Sequence, residues 1–134
     1  MPRPQPRFPE PDTQAFWDAT KEHKLTFQVC ANGHTVFFPR AHCPTCGSRE
    51  LSVKESKGEG VVYTYSVVRL NRHPAFAPLG PYAVAYVDLD EGFRILTNVV
   101  GVADPVTDVK IGQRVTVAWE DQESGIALPL FAPA

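Results

Sequence analysis

Cys43-Pro44-Thr45-Cys46-Gly47 decides how this chain of 134 residues is read. Two thiols two residues apart, with Pro inside and Gly after, form a knuckle that points both sulfurs at one ion. The backbone amides of the Gly turn can hydrogen-bond the thiolates. One further cysteine exists, Cys30, and it lies in Cys30-Ala31-Asn32-Gly33-His34. A tetrahedral ion takes four ligands, and His34 is the candidate for the fourth. The gap from Thr35 to His42 fits one short hairpin. Cys30, His34, Cys43 and Cys46 are therefore the expected ligands of a structural Zn2+ in a zinc ribbon. A lone C-x-x-C has two plainer readings, a redox pair or two buried thiols that bind nothing. The first expects a long βαβ pattern, which is missing here. His42, His23 and His73 read most simply as surface or half-buried histidines.

A ribbon of about two dozen residues has almost no core of its own. The ion is expected to supply its stability, since structural zinc in finger peptides contributes on the order of 10–16 kcal/mol.

Upstream, Met1 to Pro11 carries five prolines and is expected as an extended arm. It reads either as disordered or as a strap along a partner. Asp12 is expected to cap a helix from Asp12 to His23, with Phe16, Ala19, Thr20 and His23 on one face. Phe16 and Trp17 point about 100° apart. Two readings are open: both rings pack on this chain, or one docks on another protein. Leu25, Phe27 and Val29 alternate into the first knuckle, and Val36, Phe37 and Phe38 form the return strand that Pro39 ends.

Downstream the pattern becomes all β. Leu51 and Val53 read as a short connector strand. Strands are expected at Val61–Leu70, Tyr82–Leu89, Phe93–Val100, Arg114–Trp119 and Ala127–Phe131, with Asp90-Glu91-Gly92 as a tight turn. In the first of these, Val61, Tyr63, Tyr65 and Val67 share one face. Five strands with no helix required between them predict a small closed barrel of OB type, an open sandwich being the competing architecture. The expected organisation is an arm and helix over 1–24, a zinc ribbon over 25–50 and an OB-fold domain over 51–134. The fold class is mainly β.

The segment from Arg69 to Pro81 is long for a hairpin loop. It holds three prolines, Arg69, Arg72, His73 and a Phe, Phe76, expected to be exposed. It reads as a contact loop on the ligand face of the barrel, or as a Pro-stiffened surface loop without a task.

Composition narrows the classes. Apolar residues make up 43%, enough for a core. Thirteen Lys and Arg against fifteen Asp and Glu give a net charge of −2, with no basic block. That argues against a nucleic-acid partner, although Tyr63, Tyr65, Phe93 and Trp119 are possible stacking surfaces. No apolar run reaches membrane-spanning length, and no secretory signal is expected at the amino terminus. The odd cysteine count fits a reducing compartment, so the chain is read as cytoplasmic. No catalyst of its own is expected: a thiolase-type nucleophile needs a further Cys with a His nearby, and none remains. Asp88, Asp90 and Glu91 read as solvated acids at a hairpin end.

The order of motifs resembles a known family. A helix bearing Phe16-Trp17 precedes Leu25-Thr26-Phe27-Gln28-Val29-Cys30. Phe38-Pro39-Arg40, Cys43-Pro44-Thr45-Cys46-Gly47-Ser48, Gly58-Glu59-Gly60-Val61-Val62-Tyr63-Thr64-Tyr65 and Pro81-Tyr82-Ala83-Val84-Ala85 come next. Val87-Asp88-Leu89-Asp90-Glu91-Gly92 and Ile111-Gly112 follow. From about Thr13 to Phe131 this resembles the proteins that pair a rubredoxin-like zinc ribbon with an OB fold, once called domain of unknown function thirty-five. That family's usual first knuckle is C-x-x-C-G. Here Gly33 stands where the second thiol is expected and His34 follows, so either His34 replaces the thiol or the site is degraded.

The resemblance implies a non-catalytic accessory subunit of a thiolase-like enzyme, in a hetero-oligomer that makes or breaks carbon–carbon bonds in acyl-CoA thioesters. Acyl-CoA is then met indirectly, through the partner. The candidate partner or CoA contacts are Phe16, Trp17, Arg69, Arg72, His73 and Phe76. A nucleic-acid or nucleotide binder and a pure structural scaffold are the alternatives.

Overall fold

The computed structural model describes residues 3–7 and 10–134. The parts of the expected arm at Met1, Pro2, Phe8 and Pro9 lie outside the described residues. Helix α1 spans Pro11–Thr20. Glu10, not Asp12, holds the cap position, and it makes no side-chain cap bond. Pro11 opens the helix, where its missing amide costs no intrahelical bond. Asp12 instead sits in the first turn, where a carboxylate suits the helix dipole. The helix stops at Thr20 rather than His23. His23 takes a positive φ of 57°, which ends the helical path. Thr20 is buried and ties the helix down: its hydroxyl donates to the Trp17 carbonyl at 2.6 Å and accepts from the Ala127 amide at 3.2 Å.

Strands β1 (Thr26–Cys30), β2 (Thr35–Val36) and β3 (Leu51–Glu55) form a three-stranded antiparallel sheet in the order β2-β1-β3. The return strand ends at Val36, so Phe37 and Phe38 leave the ladder. Leu51–Glu55, expected as a connector, pairs along the whole of β1, from Thr26 opposite Glu55 to Cys30 opposite Leu51. It completes the ribbon before the chain enters the barrel.

Strands β4 (Glu59–Val68), β5 (Tyr82–Leu89), β6 (Arg94–Val99), β7 (Arg114–Asp121) and β8 (Ala127–Pro133) close a five-stranded barrel in the order β4-β5-β6-β8-β7. The closing contact of β6 with β8 is parallel, with Val99 opposite Phe131. All other barrel pairs are antiparallel. This is the OB fold, and closure removes the free edges that an open sandwich would keep. A one-turn helix, α2 (Pro105–Asp108), precedes β7; Asp104 caps it by accepting from the Val106 amide at 2.9 Å.

Strict alternation along β4 does not hold. Val62 pairs with Val87 but Thr64 pairs with Tyr86, so Tyr63 is the extra residue of a β-bulge. Val62 is buried in the barrel, and past the bulge Tyr65 packs on the core instead of Thr64. A bulge resets which parity faces inward. At Gly60, nearby on the same strand, a Cβ would run into the Asp88 carbonyl, so the two strands can cross closely only over glycine.

Ribbon, helix and barrel share one core. Phe16, Leu25 and Phe27 are buried together with Val62, Val87, Ile95, Val115 and Phe131. Phe27 stacks on Phe93 with centroids 4.9 Å apart, and Phe37 lies 4.8 Å from the same ring. Phe16 meets Phe37 edge-on at 5.6 Å. Aromatic pairs of this kind add about 0.5–1.5 kcal/mol each beyond their buried area.

The described part of the arm lies on its own barrel. Arg3 forms an ion pair with Glu120 of β7 at 2.7 Å and donates to the Asn98 side chain of β6 at 3.2 Å. Gln5 donates to the Gln122 side chain at 2.9 Å and accepts from the Ser124 hydroxyl at 2.9 Å. Over these residues the strap is intramolecular.

Candidate functional site

The far end of the ribbon brings Cys30, His34, Cys43 and Cys46 together, with their ligand atoms all within 4.8 Å of one another. Cys30 Sγ lies 3.3 Å from His34 Nδ1 and 3.8 Å from Cys46 Sγ, and Cys43 Sγ lies 3.8 Å from the same Nδ1. Zinc bonds of about 2.3 Å to sulfur and about 2.0 Å to nitrogen place tetrahedral ligand atoms roughly 3.5–3.8 Å apart. The donor set and its spacing therefore fit one zinc ion.

Local structure explains the convergence. Cys30 ends β1, and its amide donates to the His34 carbonyl at 3.0 Å. The Cys43 amide donates to the Ser48 carbonyl at 2.8 Å, which closes the second turn. Donors reach the sulfurs, among them the His34 amide to Cys30 at 3.3 Å and the Asn32 side chain to Cys46 at 3.4 Å. The Asn32 bond comes first among the causes that lower the Cys46 thiol to about 6, followed by the Ser48 amide and the His34 side chain. Burial pushes the Cys30 thiol up. Around this cluster, among the described residues, only Val36 and Leu51 add apolar contact. The tip of the ribbon is thus poor in core, while its base is fastened to the barrel.

The contact candidates divide. Phe16 is 1% exposed and belongs to the chain's own core, so no surface of it is left for a partner. Trp17 is half-buried and meets Phe16 edge-on at 5.0 Å. It borders a groove of about 200 Å³ between α1, the ribbon and the barrel, together with Phe38, Leu96 and Leu128. Phe38 is 45% exposed and Leu96 56%. Leu96 lies opposite Tyr86, which is also exposed, so the apolar face continues over the barrel wall. Sequence reading missed Leu96 as a surface residue, because alternation in a strand shows two faces without showing which is outside, and missed Phe38 because the return strand ends at Val36 and not at Phe38.

In the 69–81 segment, Arg69 and Arg72 are exposed. His73 is exposed as well, but its Nδ1 accepts from the Ala75 amide at 3.1 Å, within its own loop. Phe76 is not the exposed ring that was expected. It is half-buried, 5.9 Å from the Tyr82 ring, with the Arg3 guanidinium 5.6 Å above it. The large apolar residues that this loop exposes are Leu70, at 71%, and Leu79, the last residue of the turn Ala77–Leu79.

The three hairpin acids keep solvent exposure and are also paired. Asp88 takes a bidentate pair from Arg94 at 2.6 and 3.1 Å, and Asp90 one from Arg114 at 2.8 Å on both oxygens. Glu91 accepts from the Ser56 hydroxyl and the Lys57 amide. Of the four rings considered for base stacking, Tyr65 packs on the core and the other three have partners or are buried, although Tyr63 keeps 51% of its surface exposed. Phe93 is buried, Tyr63 lies under the Arg94 guanidinium at 3.6 Å, and Trp119 is stacked by His23 at 5.4 Å.

Residues 17–52 match the family model described as the ChsH2 rubredoxin-like zinc ribbon domain, and residues 53–120 match the ChsH2 C-terminal OB-fold domain. A probable enoyl-CoA hydratase alpha subunit of Thermomonospora curvata is 40% identical over 134 residues, covering 98% of this chain and 40% of that protein. The chain thus spans less than half the length of that relative. A DUF35 domain-containing scaffold protein of Pyrococcus furiosus is 33% identical over 118 residues, covering 84% of this chain and 85% of that one. A solved structure described as an Ltp2-ChsH2(DUF35) aldolase superposes with a TM-score of 0.83 at 36% identity, over 96% of this chain and 98% of that chain.

Proposed function

This chain belongs to the ChsH2 family of zinc-ribbon and OB-fold proteins, and from that premise we propose that it is a non-catalytic accessory subunit of a thiolase-like enzyme acting on acyl-CoA thioesters. The observation that carries the reading is the gathering of every thiol in the chain, Cys30, Cys43 and Cys46, into one four-ligand cluster. Four protein ligands close a zinc site and give it a structural role. The chemistry then falls to a partner. The names of similar proteins support an acyl-CoA-related subunit or scaffold: a probable enoyl-CoA hydratase alpha subunit, a DUF35 domain-containing scaffold protein and an Ltp2-ChsH2(DUF35) aldolase.

The division of labour follows from the surfaces. Structural Zn2+ held by Cys30, His34, Cys43 and Cys46 fixes the ribbon tip, and the barrel of β4 to β8, from Glu59 to Pro133, is the rigid body behind it. Docking runs through α1 and the ribbon, where Trp17 and Phe38 border the apolar groove with Leu96. The 69–81 loop stands at the entrance to the partner's site. Arg69 and Arg72 pair there with a CoA phosphate or a partner carboxylate. Leu70 offers an apolar tip, and His73 and Phe76 hold the loop's shape from within. We place the protein in the cytoplasm, where unpaired thiols persist. Among the described residues no helix is long and apolar enough to cross a membrane.

Purification of the tagged chain from its native cell tests the reading, followed by acyl-CoA turnover by whatever accompanies it. A thiolase-like protein whose turnover falls when Arg72 is changed to Ala is the expected result. Nucleic acid in the eluate, or no enzyme companion, overturns it. A companion whose turnover is indifferent to the loop leaves a pure scaffold.

A further inference from the structure

The two knuckles of the ribbon are different turns. In the second, the left-handed glycine, Gly47 with φ 76°, stands four residues after Cys43, and Cys46 precedes it. The Gly47 amide donates to the Cys43 carbonyl at 2.8 Å. In the first, the left-handed glycine, Gly33 with φ 84°, stands three residues after Cys30. Its amide donates to the Cys30 carbonyl at 2.9 Å. The first turn is one residue tighter, and the side chain aimed at the cluster follows the glycine instead of preceding it.

That shift decides which atom can reach an ion. The backbone amide of His34 already lies 3.3 Å from Cys30 Sγ, so the main chain at 34 runs close beside the cluster. A side chain starting there must turn back at once. In imidazole, Nδ1 is bonded to the carbon next to Cβ, and Nε2 lies across the ring. Nδ1 is the atom found 3.3 Å from Cys30 Sγ and 3.8 Å from Cys43 Sγ. We propose that the tightened first knuckle binds the ion through His34 Nδ1, with Nε2 carrying the ring proton. Three thiolates and one neutral imidazole then surround a divalent ion, and the centre carries one negative charge where four thiolates would give two. The thiol protons leave to solvent as the ion binds. This inference rests on the structural-metal reading above.

The test loads the intact wild-type chain with cadmium-113, which replaces zinc at thiolate-rich sites, and records long-range proton–nitrogen spectra of the histidines. The expected result is a cadmium splitting at Nδ1 of His34 and a proton on its Nε2. In competition with a chromogenic chelator, His34→Ala is expected to weaken cadmium binding at least about tenfold. Splitting at Nε2, or cadmium coupled to three cysteines with no histidine nitrogen, overturns the inference and leaves the structural metal standing. Unchanged affinity in His34→Ala also overturns it. A chain that binds no cadmium at all overturns both.

Discussion

Ser56 donates its hydroxyl to the Glu91 carboxylate at 2.7 Å, joining the residue that follows the ribbon's last strand to the β5–β6 turn of the barrel. The Lys57 amide reaches the other carboxylate oxygen at 2.8 Å, and Ser56 itself accepts from the Gly58 amide at 2.9 Å. One side chain thereby fixes the direction in which the chain passes from ribbon to barrel.

Glu91→Ala leaves the buried Ser56 hydroxyl and the Lys57 amide without this partner. An unsatisfied buried group costs about 1–3 kcal/mol. Urea unfolding should show a lower midpoint of that size. Glu91→Gln, which keeps one acceptor, should recover part of it. A midpoint unmoved in Glu91→Ala removes Glu91 from this role.

Metal removal should act on one end of the molecule. The tip has little core beyond Val36 and Leu51, whereas Leu25 and Phe27 are anchored among barrel residues. A strong chelator is expected to raise amide exchange across 30–50 while strands β4 to β8 stay protected. Equal loss of protection in the barrel contradicts this partition.

Arg3→Ala should release more than the arm. Arg3 links Glu120, Asn98 and the Phe76 ring, and its side chain is only 16% exposed. Exchange at 73–77 is expected to rise along with cleavage of the arm by protease, at a stability cost of about 1–2 kcal/mol. Faster cleavage with an unchanged loop would mean that the arm and the loop are independent.

The Asp90–Arg114 pair predicts a direction with pH. The hydrogen bonds from Arg114 hold the Asp90 carboxyl below its ordinary 3.8. A depressed folded-state value adds stability above 3.8, and that stability is lost as pH falls through the folded value. Asp90→Asn should therefore be less stable than the parent near neutral pH, with the difference vanishing in strong acid. Both side chains are about half exposed, so the effect is modest and should shrink further in high salt. A difference that grows as pH falls has the wrong sign for this pair.

Leu96→Asp separates docking from folding. Leu96 is more than half exposed on the barrel wall, so thermal stability should move within about 0.5 kcal/mol. Capture of the proposed thiolase-like partner should be lost, because a carboxylate enters the apolar groove. Undiminished capture would move the docking surface elsewhere.

Much of this molecule was legible in particular residues. The knuckle at Cys43-Pro44-Thr45-Cys46 announces a ribbon, and Cys30 and His34 do converge on it. The barrel strands fall close to where hydrophobic runs and turns put them, with Tyr82–Leu89 the same in both. Other features needed partners distant in sequence. Alternation in β4 reads Val61 with Tyr65, but the bulge at Tyr63 breaks the phase, and a bulge shows only when the strand opposite is known. Leu51–Glu55 has a strand's pattern in either unit, and only pairing with β1 assigns it to the ribbon.

The sequence by itself determined the local grammar: which residues are strands, where glycine turns the chain and which side chains have the chemistry to hold a metal. These follow from periodicity, turn propensity and donor type, all written within a few neighbouring positions. The tertiary structure alone decided what each ambiguous group was used for. Phe16 became core while Phe38 stayed at the surface, the hairpin acids found Arg94, Arg114 and Ser56, and the arm closed on Glu120. Burial and pairing depend on which distant segments the closed barrel brings within a few ångströms, and no local pattern carries that information.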